Sequence, residues 1–149
     1  MRKSKYSTIK LILIFLVLGA TMLCCNIVLV SGDSMNPTYK HGDILLATKS
    51  TDINKNDVVV FKQSDEVFIK RVYAVPGDTI EIIDNGIYIN GINLSQYSCE
   101  QDDCKFVLED GEYYLLGDNC NNSVDSRSFG CVPKSRIISK VVIRLLSVG

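Results

Sequence analysis

The chain has 149 residues and a formal net charge of −1, a length that suits one domain and a charge too small to favour nucleic acid or acidic lipid. That charge is unevenly placed: Arg2, Lys3, Lys5 and Lys10 stand in the first ten residues without an acid, residues 11–30 hold no charged side chain, and the remaining 12 of 16 basic and all 17 acidic side chains lie in residues 31–149. A basic tip, an uncharged apolar run and a mildly acidic body exclude a simple cytosolic globule, and with only 3 Pro and no internal repeat the chain is neither disordered, collagen-like nor solenoidal.

The first expected element is a membrane helix over Leu11–Val30. Twenty residues at about 1.5 Å each span roughly 30 Å, the thickness of a bilayer core. A cleavable secretory signal is the competing reading. Its apolar core usually runs ~7–15 residues and ends at a small-x-small site, whereas this run is longer and ends Leu29-Val30-Ser31-Gly32. Residues 1–30 therefore read as a short basic cytoplasmic tail and a retained single-pass anchor. The basic cluster keeps the N-terminus inside, which puts residues 31–149 on the outer side of the cytoplasmic membrane, with the lipid bilayer as a partner.

The body reads as strands. Asp43–Thr48, Asp57–Lys62, Glu66–Val75, Thr79–Asp84, Ile87–Asn90, Lys105–Leu108, Glu112–Leu116 and Ile137–Leu146 are β-branched or alternating runs bounded by turn residues. Asn85-Gly86 between two of them predicts a hairpin. No segment beyond the anchor shows a long 3.6-residue period, so the fold class is mostly β, an antiparallel sheet domain behind one N-terminal transmembrane helix. Cys24 and Cys25 sit in the apolar run, and Cys99, Cys104, Cys120 and Cys131 in the body. On the outer side a Cys99–Cys104 bridge closing a short loop is expected, with free thiols or a metal site as alternatives. Cys120-x10-Cys131 lacks the tight pairing that zinc sites favour.

Three segments carry candidate chemistry. Ser34 lies in the turn Gly32-Asp33-Ser34-Met35-Asn36-Pro37-Thr38, four residues past the apolar run. A serine after a glycine is most often a turn residue, but a nucleophile here would meet a bond just outside the bilayer. A serine hydroxyl needs a base. The single histidine, His41, sits in a polar turn and is a weak candidate. Lys70 shares a strand face with Phe68, Val72 and Ala74, where desolvation can favour the neutral amine. A half-buried lysine that snorkels to water is the plainer alternative. The third segment, Gly117–Arg127, reads as a polar loop. It offers the Ser123 hydroxyl and an Asp125/Arg127 pair suited to charge-assisted bracing.

Taken in order, Gly-Asp-Ser-Met-Asn-Pro-Thr at 32–38, Lys-Arg-Val-Tyr-Ala-Val-Pro-Gly-Asp at 70–78 and Gly-Asp-Asn…Asn-Ser-Val-Asp-Ser-Arg at 117–127, behind one apolar run, resemble the bacterial type I signal peptidases, or leader peptidases. The resemblance covers nearly the whole chain. It implies a β-rich catalytic domain over 31–149 and a membrane-bound serine endopeptidase that cuts signal peptides from exported preproteins after small residues. Ser34 would be the nucleophile and Lys70 the general base. Ser123 would orient the lysine amine, and Asp125 and Arg127 would support the site. The Ser34 N–H would help hold the oxyanion. Met35, Pro37 and apolar residues on the strand holding Lys70 are the candidate substrate walls.

The chain departs from the pattern at Gly32, where some members carry a serine, and at Cys120, where members often carry arginine. Lysine at 70, rather than the histidine of eukaryotic and archaeal relatives, marks a bacterial type. The resemblance implies no cofactor, no metal, no nucleic acid and no obligatory protein partner. Two other readings stay open: a Ser-Lys peptidase dedicated to one pilin or conjugation protein, and an inactive tethered β module that binds a partner.

Overall fold

The computed structural model describes residues 9, 10, 12 and 25–148. Eleven strands form two sheets: β1 (Cys25–Leu29), β2 (Ile44–Thr48), β3 (Val58–Gln63), β4 (Glu66–Ala74), β5 (Thr79–Ile83), β6 (Gly86–Ile89), β7 (Ile92–Ser98), β8 (Cys104–Val107), β9 (Glu112–Leu116), β10 (Val132–Pro133) and β11 (Ile137–Leu146). One four-residue helix, α1 (Ser126–Phe129), precedes β10. The large sheet runs β1-β2-β11-β3-β4-β9-β10 and the small one β7-β6-β5-β8. Every strand pair is antiparallel.

The start of the body differs from expectation. Cys25–Leu29 pairs with Ile44–Thr48 from Cys25↔Thr48 to Leu29↔Ile44, so the last residues of the apolar run belong to the sheet. Uncharged β-branched residues suit a strand as well as a membrane helix, and hydropathy alone does not tell them apart. The rest of the expected anchor, apart from Ile12 and Val30, falls outside the described residues. Among the described residues no helix is long and apolar enough to cross a membrane.

The core divides by strand face. On β9, Tyr114 and Leu116 join Ile80, Ile82, Ile87, Ile89 and Tyr97 of the small sheet in one cluster. Tyr113 and Leu115, on the opposite face, pack with Val59, Phe61 and Val72 in a second. The small sheet thus caps one face of the β4/β9 end of the large sheet. A register shift between Val72 and Ala74 lets these two same-parity residues enter different clusters, as a bulge does by turning the strand. A third cluster, Val30, Met35, Leu45, Val58 and Ile69, lies under the turn that holds Ser34.

The β5–β6 hairpin forms one residue earlier than expected. Ile83 pairs with Gly86, and the two loop residues are Asp84 and Asn85, both at positive φ, the type I′ conformation that suits a right-twisted pair. The expected Cys99–Cys104 bridge is absent: both residues are free thiols, Cys99 buried and Cys104 exposed. The Cys99 Sγ is turned inward and donates to the Arg127 carbonyl oxygen at 3.7 Å.

Candidate active site

The turn that carries Ser34 is pinned at both ends by backbone. Val30 donates to the Asp43 carbonyl and accepts from the Gly42 N–H, each at 2.9 Å. Between them the chain reverses through Gly32 at φ +86°, a conformation that glycine adopts without penalty. The Gly32 N–H donates to His41 Nδ1 at 3.1 Å. His41 is exposed and clasps this turn; it does not bond Ser34. Met35, the next residue, is wholly buried among Val30, Leu45, Val58 and Ile69 and acts as the plug that seats the turn.

Lys70 stands on β4 opposite Val59. It is 2% exposed, and its Nζ donates to Ser34 Oγ at 2.7 Å. Burial pulls the ammonium down from 10.5 to about 8, while the charges of Asp125 and Asp118 oppose that fall and Arg127 adds to it. Its amine also lies 5.7 Å from the Phe68 ring centre. The sequence thus places a lysine among apolar strand neighbours, and desolvation favours its neutral form.

The third segment is braced as its residue types suggest. Asp125 is fully buried and receives the Arg127 guanidinium at 2.8 and 3.0 Å. It also caps α1 through the Arg127 N–H and accepts from the Gly117 N–H at 3.0 Å. Ser123 departs from expectation. Its Oγ is buried with no hydrogen-bond partner, so the expected bond to Lys70 is not made. The hydroxyl is turned against Gly117 instead.

Several site residues were not expected. Arg71, next to Lys70, donates through Nε and Nη2 to the two carboxylate oxygens of Asp118. Asn119 reaches back to the serine turn: its N–H donates to the Ser34 carbonyl at 3.0 Å and its Nδ2 to the Asp33 carbonyl at 3.1 Å. Tyr97 donates to the Gly117 carbonyl at 2.9 Å. Arg71, Asp118 and Asn119 all lie inside the motif blocks, but sequence spacing does not pair residues 47 apart.

Ser34 and Lys70 share a cleft of about 410 Å³. Its walls are Val28 and Leu29 of β1, Val60 of β3, Val67, Phe68 and Ile69 of β4, and Asn122 and Val124 of the loop. Met35 and Pro37 do not line it. Met35 is committed to the core beneath the turn, and Pro37 is exposed away from the cleft walls. Among the described residues no cluster of three or more His, Cys, Asp or Glu side chains is arranged to hold a metal.

A family model described as "Signal peptidase, peptidase S26" matches residues 4–146. The chain is 32% identical over 135 residues to Signal peptidase I V of Bacillus subtilis, covering 75% of this chain and 80% of that protein. It is 31% identical over 142 residues to Signal peptidase IB of Staphylococcus aureus, covering 77% and 74%. It is also 28% identical over 147 residues to a probable signal peptidase I-2 of Synechocystis sp., covering 88% and 67%.

Proposed function

The chain belongs to the signal peptidase family of peptidase S26, and from that premise we propose that it is a membrane-bound serine endopeptidase that removes N-terminal signal peptides from exported preproteins with a Ser34/Lys70 dyad. The observation that carries the dyad is the 2.7 Å contact between Lys70 Nζ and Ser34 Oγ with the amine buried at 2% exposure. The family supports a serine peptidase hydrolase.

In the proposed reaction neutral Lys70 takes the Ser34 proton as Oγ attacks the scissile carbonyl carbon. The oxyanion that forms is held by the Ser34 N–H. Collapse breaks the C–N bond, Lys70 returns the proton to the leaving amine, and the mature N-terminus departs. A water molecule, deprotonated by Lys70, then attacks the acyl carbon; the C–Oγ bond breaks, Lys70 returns the proton to Ser34 Oγ, and the signal peptide leaves as a carboxylic acid that ionises in water. An extended substrate suits the cleft, because it runs between the edge strand β1 and the exposed start of β4 and a peptide pairs with a free sheet edge. Val28, Ile69 and Val124 are among the apolar residues that line the cleft, and such walls select small side chains by steric exclusion of larger ones.

The uncharged run ahead of Cys25, with the basic tip before it, is the proposed anchor that keeps the cleft at the outer membrane surface. Ser31–Ser34 follow β1 directly, so the nucleophile would stay close to the lipid.

The purified protein in detergent, incubated with a preprotein, should yield two products whose masses place one cut after a small residue. Ser34→Ala and Lys70→Arg should abolish it, since guanidinium does not deprotonate at usable pH. His41→Ala should stay within a few-fold of wild type. Cleavage by folded Lys70→Arg would refute the dyad.

A further inference from the structure

Tyr97 belongs to the small sheet, yet it touches the site. It is 4% exposed and makes two hydroxyl contacts: it donates to the Gly117 carbonyl at 2.9 Å and lies 2.8 Å from the Tyr73 hydroxyl. A phenol has one proton, so Tyr97 gives its own to Gly117 and accepts that of Tyr73. The Tyr73 ring meets the Tyr97 ring edge-on at 5.3 Å, and the Arg127 guanidinium lies over Tyr97 at 5.3 Å. Gly117 and Tyr73 therefore hold the hydroxyl, while Tyr73 and Arg127 hold the ring.

Gly117 is where that grip matters. A Cβ at Gly117 would stand 2.6 Å from the Ser34 carbonyl oxygen and collide with Ser123. The residue is thus in direct contact with the nucleophile's own backbone. Its N–H is held by Asp125 and its carbonyl by Tyr97, so both sides of this link are fixed. Directly after it, Asp118 binds Arg71 and the Asn119 N–H binds the Ser34 carbonyl.

We infer that Tyr97 is a positioning residue for peptide cleavage: its hydroxyl fixes the Gly117 carbonyl and thereby sets where Ser34 and Asp118 stand relative to Lys70. This rests on the Ser34/Lys70 reading. It gives the small sheet a part in the reaction that its distance in sequence conceals, and it makes Tyr73 the relay that orients Tyr97. Burial and the Tyr73 contact push the Tyr97 phenol upward, so it remains a donor across the working pH range. The groups that face Lys70 are Asp118 and Asp125, which favour the ammonium, and Arg127, which opposes it. Those that face Tyr97 are Tyr73, Arg127, Asp118 and Asp125.

Tyr97→Phe keeps the ring and removes only the hydroxyl. The unpaired Gly117 carbonyl then draws water behind the loop. Lys70 becomes better hydrated, its amine returns toward the ordinary lysine value, and the acidic limb of the rate profile moves to higher pH. With a signal-peptide substrate in detergent, kcat should fall about tenfold with KM within about twofold, as expected when reacting atoms are misplaced and the substrate walls are intact. Tyr88→Phe, on the same sheet but outside this network, is the control and should match wild type.

Tyr73→Phe leaves Gly117 paired and should lower kcat about threefold. In the double variant it should add nothing, because it acts through Tyr97. It also carries the test if Tyr97→Phe does not fold. Wild-type kcat and an unmoved limb in Tyr97→Phe would overturn the inference, as would additive effects in the double variant, or wild-type kcat in Tyr73→Phe. Cleavage by Ser34→Ala would instead overturn the underlying dyad, so the two failures are separate.

Discussion

Asp118 receives the Arg71 guanidinium through both carboxylate oxygens, at 2.8 and 2.6 Å, on the strand residue that follows Lys70. The pair locks β4 to the loop after β9 beside the candidate base. Its negative charge also raises the Lys70 value against the larger effect of burial. Asp118→Asn removes that charge, so the Lys70 amine should fall below about 8 and the acidic limb of cleavage should move to lower pH. The half-buried Arg71 loses its carboxylate, which should cost roughly 2–4 kcal/mol of stability. A pH–rate series and urea unfolding of the same variant measure the two effects. A limb that moves to higher pH would contradict this electrostatic account.

Gly117 tests the geometry from the opposite side. A methyl there meets the Ser34 carbonyl at 2.6 Å and the Ser123 side chain. The first of these is backbone, which does not step aside as a side-chain tip does. Gly117→Ala should therefore shift the serine turn and lower cleavage at least about a hundredfold, the scale of a roughly 1 Å misplacement. The overpacking cost to stability should be about 1–3 kcal/mol. Turnover within threefold of wild type in folded Gly117→Ala would show that the turn tolerates movement.

The sequence is most legible where chemistry or periodicity is local. Alternation on β4 places Lys70 beside apolar neighbours, and the motif blocks identify Ser34 and the braced Asp125/Arg127 loop. Contacts between distant segments are not written in spacing: Arg71 with Asp118, Asn119 with Ser34, and Tyr97 with Gly117 all arise from the sheet order. Three strands are hidden: β10 is only the two residues Val132–Pro133, and β1 and β7 are missed for opposite reasons. β1 is hidden by hydropathy, because its residues continue an uncharged run. β7 is hidden by polarity, since Ile92–Ser98 is largely exposed, although Asn90-Gly91 before it carries the hairpin signal. Both of those residues have positive φ, and Ile89 pairs with Ile92. Met35 reads as a wall from its place beside Ser34, but in the fold it is the plug beneath the turn.

The thiols give an independent check on the body. Cys104 is exposed, whereas Cys99 is buried and burial pushes its thiol up; burial also pushes the Cys131 thiol up, to about 11. Thiolate is the reactive form. A maleimide added to the native protein at pH 7 should therefore modify Cys104 well before Cys99 or Cys131. Mass mapping after a short pulse measures the order. Cys99 labelled as fast as Cys104, or a pair of residues linked and unlabelled until reductant is added, would contradict the arrangement of free thiols.

Buried Lys70 should also carry a stability cost. In the folded protein Lys70 sits at about 8, below its unconstrained 10.5, so the unfolded chain binds the extra proton throughout that interval. Stability contributed at this position therefore rises with pH between about 8 and 10.5, and the full penalty is present below 8. That displacement corresponds to roughly 3 kcal/mol. Lys70→Met removes the penalty and also the hydrogen bond to Ser34, a loss of about 1 kcal/mol. The inactive variant should then be about 2 kcal/mol more stable than wild type at pH 7. Its advantage should shrink as pH climbs through that interval, because wild-type Lys70 becomes neutral in both states. Other titrating groups are common to both proteins and drop out of the difference. Urea unfolding of the two proteins in detergent at pH 7, 9 and 10.5 measures it. A Lys70→Met protein less stable than wild type at pH 7, or a difference independent of pH, would show that Lys70 is not held in the desolvated state that the proposed role as a base requires.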